Sequence, residues 1–348
     1  MSKKRVAVLF GGKSNEYSIS LQSSYAVLKN LKPEGYEIYP IGITQAGEWY
    51  YYTGEIENIK KDKWIADTKN CTPALLSPDT GHKGILLFEE CGTKILETDY
   101  IFPVLHGKNG EDGSVQGLVL LTGIPLVGCN TLASALCMDK DRSHKLVECA
   151  GVKVPQAVVL HEYDVKETWA EIAKELPYPR FVKPVKSGSS VGVSKVDNES
   201  EMIAAIESAL EYDDEVIVEE EIDGFEVGCA VLGNEEVLIG RVDEIELKQG
   251  FFDFTEKYTL ETAAIHMPAR IDKETEEKIK ETAEKIYHTL GCSGFARVDM
   301  FLTSKKEIVF NEVNTIPGFT EHSRYPNMMA GIGLNFSEIL DKLIETAK

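Results

Sequence analysis

The sequence predicts a mixed α/β fold of three modules arranged around one cleft. Three observations carry this. Up to about residue 122, short apolar runs alternate with helical patterns, as in an open, largely parallel sheet. Arg180 to Pro184 reads as a strand carrying Lys183, and it runs into a loop of small residues, Ser187-Gly-Ser-Ser-Val-Gly192. Phe295 to Phe301 and Ile308 to Val313 are apolar runs joined by a polar connector, Leu302 to Glu307, of hairpin length. The expected modules are residues 1–122, 123–213 and 214–348.

Composition narrows the function before any motif does. A chain of 348 residues with 43% hydrophobic and 27% charged residues is that of an ordinary globular protein. A net charge of −20 disfavours nucleic acid and anionic membrane surfaces as partners. The seven cysteines are scattered, with no Cys-x-x-Cys pair, and read as reduced residues of a cytoplasmic protein. No signal peptide or membrane-spanning run is recognisable.

In chain order, Arg5 to Phe10 is a buried strand ended by Gly11-Gly12. Ala7 to Ser14 fits a relaxed P-loop pattern, but its variable positions belong to the strand rather than to a loop, so that reading is rejected. Glu16 to Leu31 is a helix, with Glu16 near its N-terminus, and Tyr36 to Ile43 is the next strand. Lys60 to Asp79 is polar, weakly patterned and expected on the surface. Tyr100 to Leu105 is a strand that runs into His106-Gly-Lys-Asn-Gly-Glu-Asp-Gly113. Glycines, a histidine and acids at a strand's C-terminal end suit a ligand crevice, or more simply a capped turn before a helix at Asp112.

Asn130 to Ala150 reads as one long helix carrying Met138-Asp-Lys140. Strands follow at Gln156 to Leu160 and Arg180 to Pro184, then a helix over Asn198 to Tyr212 and a strand over Glu215 to Glu221. A lysine on a strand before a mobile Gly/Ser loop suits a triphosphate, the lysine giving charge and the loop close backbone approach. Further strands come at Glu226 to Leu232 and Val237 to Ile245. Gln249 to Tyr258 is aromatic, yet punctuated by glycine and charge, and reads as a lid or as a satellite aromatic cluster. Helices close the pattern at Asp272 to Leu290 and Leu334 to Ala347, with the hairpin between them. A turn centred between Lys305 and Lys306 sets Arg297 opposite Asn314, Asp299 opposite Glu312 and Phe301 opposite Phe310. One face then holds a cation, two carboxylates and an amide. That set suits Mg²⁺, or else ordinary cross-strand ion pairs.

Taken together and in order, Gly11-Gly12 with Glu16, His106-Gly107 with Gly110-Glu-Asp-Gly113, Lys183-Pro184 with Gly188-Ser-Ser-Val-Gly192, Arg297-Val-Asp299, and Asn311-Glu-Val-Asn-Thr315 with Pro317-Gly318 resemble the D-alanine–D-alanine ligase family of ATP-grasp enzymes. The resemblance implies a three-domain ATP-grasp ligase with a Rossmann-like N-terminal domain. It implies ATP as co-substrate and two Mg²⁺ ions, with Mn²⁺ a possible substitute, held by Asp299, Glu312 and Asn314. It assigns Lys140, Lys183 and Lys257 to phosphate oxygens and Glu219, Glu220, Ile222 and Glu226 to the adenosine site. Arg297 and the Gly318 N–H are implied to stabilise the oxyanion of the tetrahedral intermediate, worth ~3 kcal/mol per donor. Glu16, Ser189 and Tyr258 match a hydrogen-bonded triad around the first D-alanine, with His106 beside it and Ser323 on the acceptor carboxylate. The resemblance also implies a homodimer.

One departure sharpens the expectation. Housekeeping members mostly carry a hydrophobic residue or a lysine after the acceptor-site serine, whereas this chain has Ser323-Arg324-Tyr-Pro326. That resembles the ligases of vancomycin-resistant bacteria, and the retained Lys257-Tyr258 pair resembles their D-serine group rather than the D-lactate group. The implied substrates are D-alanine and D-serine. Arg324 is the first candidate for reading the serine hydroxyl, Phe252 for the pocket wall and Asp243 a further candidate. An ordinary D-alanine–D-alanine ligase and a silent nucleotide-binding protein are the competing readings.

Overall fold

The computed structural model describes residues 3–164, 166–247 and 263–348, which form three sheets. The first sheet has β1 (Lys4–Gly11), β2 (Tyr36–Ile43), β3 (Trp49–Tyr52), β4 (Cys71–Leu76), β5 (Gly84–Glu89), β6 (Gly92–Glu97) and β7 (Tyr100–Pro103). Their order is β6-β5-β4-β3-β2-β1-β7. β1 lies between β2 and β7 and is parallel to both. Val6 to Phe10 are fully buried, as a strand covered on both faces requires. Helix α1 (Tyr17–Asn30) and the short α2 (Ile56–Lys60) accompany this sheet.

The segment expected to be surface, 60–79, is mostly exposed, but it sends Trp64, Ala74 and Leu76 into the core. Trp64 is fully buried, packs edge-on against Phe10 at 5.0 Å, and donates from Nε1 to Tyr17 Oη at 2.9 Å. β4 turns Ala74 and Leu76 inward. An antiparallel extension, β3 to β6, carries this chain onto the sheet edge. Its short strands have too few alternations to stand out in the sequence.

Helices α3 (Ser114–Thr122), α4 (Thr131–Met138) and α5 (Lys140–Cys149) follow. The single helix expected over Asn130 to Ala150 is thus two. Asp139 is the break: its backbone is extended and its side chain accepts from Arg142 N, which caps α5. Periodicity runs through the break, so the sequence reads as continuous.

The second sheet is antiparallel, ordered β10-β9-β11-β8, from β8 (Ala157–His161), β9 (Arg180–Pro184), β10 (Ser194–Val196) and β11 (Glu215–Glu220). Both partners of β11 lie N-terminal to the module limit expected at residues 213/214. Helix α6 (Trp169–Ile172) precedes β9, and α7 (Glu199–Leu210) lays Met202, Ala205, Ile206 and Ala209 into this sheet's core.

The third sheet, also antiparallel, is β14-β13-β12-β15-β16, from β12 (Gly224–Gly233), β13 (Val237–Leu247), β14 (Ala263–His266), β15 (Gly294–Thr303) and β16 (Ile308–Asn314). Helix α8 (Lys273–Thr289), capped by Asp272, buries Ile279, Ala283, Ile286 and Tyr287 at helical spacing. Two helices close the chain, α9 (Arg324–Ala330), which the sequence reading missed, and α10 (Phe336–Thr346), with an Asn335/Glu338 capping box. Phe102 of the first sheet meets Phe295 of the third edge-on at 6.2 Å. Among the described residues no helix is long and apolar enough to cross a membrane.

Candidate active site

The hairpin β15–β16 supplies the site's floor. Arg297 pairs with Asn314 and Asp299 with Glu312, as the sequence predicts. Beyond them the register shifts: Met300, not Phe301, pairs with Phe310, and Phe301 pairs with Val309. Asn311 is the extra residue of a β-bulge. The cause is apolar burial. Strict alternation puts Phe310 on the face of Glu312 and Asn314, whereas the bulge lets Phe310 join Val298, Met300 and Val313 in the core. On the polar face, Arg297 grips Asp299 through Nε to Oδ1 at 2.9 Å and Nη2 to Oδ2 at 2.6 Å, and Asn314 Nδ2 donates to Asp299 Oδ2 at 2.9 Å. Burial works against the Arg297 cation, but the neighbouring Asp299 charge outweighs it and holds its pKa above the ordinary value.

Against this floor lies a cavity of about 470 Å³, lined among others by Lys140, Lys183, Glu219, Ile222, Glu226 and Glu312. Glu220 lines it too. The size is that of a small-molecule site. Lys183 Nζ donates to Glu219 Oε2 at 2.5 Å, and Lys140 Nζ donates to the Ser187 carbonyl at 2.6 Å. The α4/α5 break sets Lys140 at the start of α5, facing the Gly/Ser loop. Burial opposes the Glu219 anion, yet Lys183 and then His144 overcome it and hold its pKa below the ordinary carboxylate value.

The first sheet contributes at its strand ends. Buried His106 contacts Ile316 O through Nδ1 and Ser23 Oγ through Nε2, both at 2.9 Å. The carbonyl only accepts, so Nδ1 carries the proton, and Ser23 donates to Nε2 while accepting from Phe319 N at 3.2 Å. Burial pushes the His106 pKa down to about 4, so the ring is neutral. Glu111 accepts from Gly107 N at 2.9 Å and from Ile316 N at 3.0 Å, tying the His106 turn to the Ile316-Pro317-Gly318 turn. Burial, then the charge of Glu16, pushes its pKa up. Glu16 is buried with its carboxylate against two glycines. A Cβ on Gly107 or Gly188 falls 2.8 or 2.7 Å from Oε1, and Gly107 also has a left-handed φ of +69°. Glu16 thus stands beside the residue that precedes Ser189.

Ser323 and Arg324 open α9. Ser323 Oγ accepts from Thr320 N at 2.9 Å and lies 3.2 Å from where a Gly318 Cβ would stand. Arg324 is buried among three carboxylates: Nε and Nη2 donate to Asp243 at 2.7 and 2.8 Å, Nη1 to Glu226 at 2.8 Å, and Nη2 lies 3.3 Å from Asp299. Asp243, fully buried, also accepts from Gly228 N at 3.0 Å. Glu226, expected on ribose hydroxyls, therefore both lines the cavity and holds Arg324.

Phe252, Lys257 and Tyr258 lie outside the described residues. The remaining expected residues gather around the hairpin and cavity. Ser23, Glu111 and His144 were not foreseen. Only Glu111 carried a signal, its place in the Gly-Glu-Asp-Gly run. Asp299, Glu312 and Asn314 offer hard oxygen donors on one strand face. Among the described residues no three His, Cys, Asp or Glu side chains group as a metal site. Two carboxylates and an amide oxygen are the donor types Mg²⁺ takes, with its other oxygens coming from phosphate and water.

Two family models match the chain: D-ala D-ala ligase N-terminus over residues 5–129 and D-ala D-ala ligase C-terminus over residues 146–345. The vancomycin C-type resistance protein VanC1 of Enterococcus gallinarum is 42% identical over 346 residues, covering 99% of this chain and 98% of its own. A D-alanine–D-alanine ligase of Caldicellulosiruptor bescii is 43% identical over 352 residues, covering 100% and 96%. The crystal structure of the VanG D-Ala:D-Ser ligase from Enterococcus faecalis superposes with a TM-score of 0.92 at 58% identity, covering 99% of each chain.

Proposed function

This chain belongs to the D-alanine–D-alanine ligase family, and on that premise we propose that it joins D-alanine to D-serine with ATP and Mg²⁺. The observation that carries the acceptor choice is the buried Arg324–Asp243 pair directly after Ser323, at the acceptor end of the hairpin face. The likeness to a D-Ala:D-Ser ligase at 58% identity supports the same reading.

A carboxylate is a poor electrophile. The γ-phosphoryl group of ATP passes to the D-alanine carboxylate, giving D-alanyl phosphate and ADP. The acceptor amine then attacks the acyl carbon, loses a proton, and phosphate departs. Lys140 and Lys183, which both line the cavity, meet phosphate oxygens, and Glu219, Glu220, Ile222 and Glu226 enclose the adenosine. Arg297, locked in place by Asp299, and the Gly318 N–H face the oxyanion of the tetrahedral intermediate. His106 is held neutral with a fixed tautomer, so it adds a hydrogen-bonding group near the first D-alanine without another charge. Mg²⁺ on Asp299, Glu312 and Asn314 supplies charge neutralisation for the phosphates. At the acceptor, a hydrogen bond to the serine hydroxyl from the Arg324 end of the site, which an alanine methyl cannot make, favours serine.

The test is a competition. Purified protein receives ATP, Mg²⁺ and D-alanine with equal D-serine and D-lactate, and mass spectrometry identifies the dipeptides. D-alanyl-D-serine as the main product is expected, with none formed when EDTA removes the metal. D-alanyl-D-alanine as the main product keeps the family chemistry and refutes the D-serine assignment.

A further inference from the structure

Beside the nucleotide cavity two buried polar atoms lack hydrogen-bond partners: His144 Nδ1 and Glu219 Oε1. They face each other at 3.7 Å. His144, on α5 one turn after Lys140, is 4% exposed, and Glu219 is 2% exposed. The other ring nitrogen, Nε2, lies 2.8 Å from the carbonyl of Asn311, the bulged residue next to Glu312. That carbonyl only accepts, so Nε2 carries a hydrogen. The ring packs edge-on against Phe310 at 5.3 Å, which fixes its plane. Glu219 is also bonded through Oε2 to Lys183, and the charge of Lys140 acts on it as well.

We propose that His144 is a positioning residue for the nucleotide site, holding the Glu219 carboxylate in place when bound nucleotide draws Lys183 towards phosphate. The inference rests on the ligase reading above. Lys183 answers one Glu219 oxygen, and the other lies 3.7 Å from the ring. A phosphate that engages Lys183 weakens its ion pair with a carboxylate shut away from water. An unpaired buried carboxylate is costly, so a ring beside it that can carry a hydrogen on Nδ1 as well as on Nε2 lowers the cost of binding. A ring protonated on both nitrogens donates to Asn311 O and to Glu219 together, linking the cavity wall to the strand that carries Glu312.

His144→Gln separates the two contacts. Its amide reaches where Nε2 stands and preserves the bond to Asn311 O, while the Nδ1 position is lost. Binding of a β,γ-imido ATP analogue with Mg²⁺ is measured by calorimetry for the wild type, H144Q, E219Q and the double variant. H144Q is expected to bind about tenfold more weakly, the worth of one charged hydrogen bond. The same change is expected to cost less than about twofold in the E219Q background, where the charge it answers is gone. In ligation assays KM for ATP should rise in H144Q while kcat stays nearly constant. An equal loss in both backgrounds, or no loss in the wild-type background, overturns the proposal. A wild-type protein that takes up no nucleotide overturns the ligase reading and this proposal with it.

Discussion

Replacing Arg324 by methionine tests how the acceptor end of the site is held together. The guanidinium is buried and joins Asp243, Glu226 and Asp299. Methionine has a similar length and no charge. Asp299 keeps Arg297 and Asn314, and Glu226 lines the cavity, but Asp243 is fully buried and, among the described residues, keeps only the Gly228 N–H. Breaking a buried pair on one side costs about 3–5 kcal/mol, mostly the uncompensated charge. A second substitution, Asp243→Asn, removes that charge, so the double variant should recover about 1–3 kcal/mol of the loss. Arg324→Lys keeps the charge without the two-pronged contact and should lose about 1.5–3 kcal/mol. Urea unfolding followed by circular dichroism measures all four proteins. A single R324M variant that loses less than about 1 kcal/mol, or a double variant no more stable than the single, refutes the ion-pair account.

The neutral, buried His106 makes stability depend on pH. Its folded pKa of about 4 lies below the unfolded value near 6.5, so the unfolded chain binds more protons between them. The contribution is fully present above about pH 6.5 and is lost as pH falls towards 4, by about 3 kcal/mol in all. His106→Gln should flatten that part of the urea-measured profile; an unchanged slope rejects the assignment. Trp64→Ala should destabilise by about 3–5 kcal/mol because the ring is fully enclosed and its N–H is bonded to Tyr17. A loss below about 1 kcal/mol would return this segment to the surface role its composition suggests.

The hairpin was the most legible part of the chain. Two short apolar runs and a polar connector sufficed to pair Arg297 with Asn314 and Asp299 with Glu312. The bulge escaped because alternation was extended through Phe310, although Val309 and Phe310 are adjacent apolar residues, a pattern that a regular half-buried strand does not need. Most helices and strands with long periodic patterns appeared within a few residues of their expected limits. The α4/α5 break did not, since Asp139 acts through a local cap that periodicity does not register. The antiparallel extension of the first sheet was missed because its strands are too short to show alternation, and Trp64 because its partners Phe10 and Tyr17 are distant in sequence. The charged core around Arg324 was legible only as a set of candidates. Arg324 and Asp243 are separated by 81 residues, and only the meeting of β13 with α9 makes them one ion pair.

The bulge at Asn311 gives the hairpin a change of phase in mid-strand. Ahead of it, even-numbered side chains from Asn314 and Glu312 look into the site; behind it the same parity looks into the core. Straightening the strand with Asn311 kept would rotate either Phe310 into the polar face or Glu312 into the core. Deleting Asn311 would instead make Phe310 and Glu312 neighbours, and strict alternation would leave each on its present face, at the loss of the carbonyl that meets His144. The turn between Thr303 and Glu307, a few residues away and exposed, carries no such constraint. Within a single hairpin, the tip is free to vary in length, whereas the phase between the core end and the site end depends on how Asn311 is accommodated.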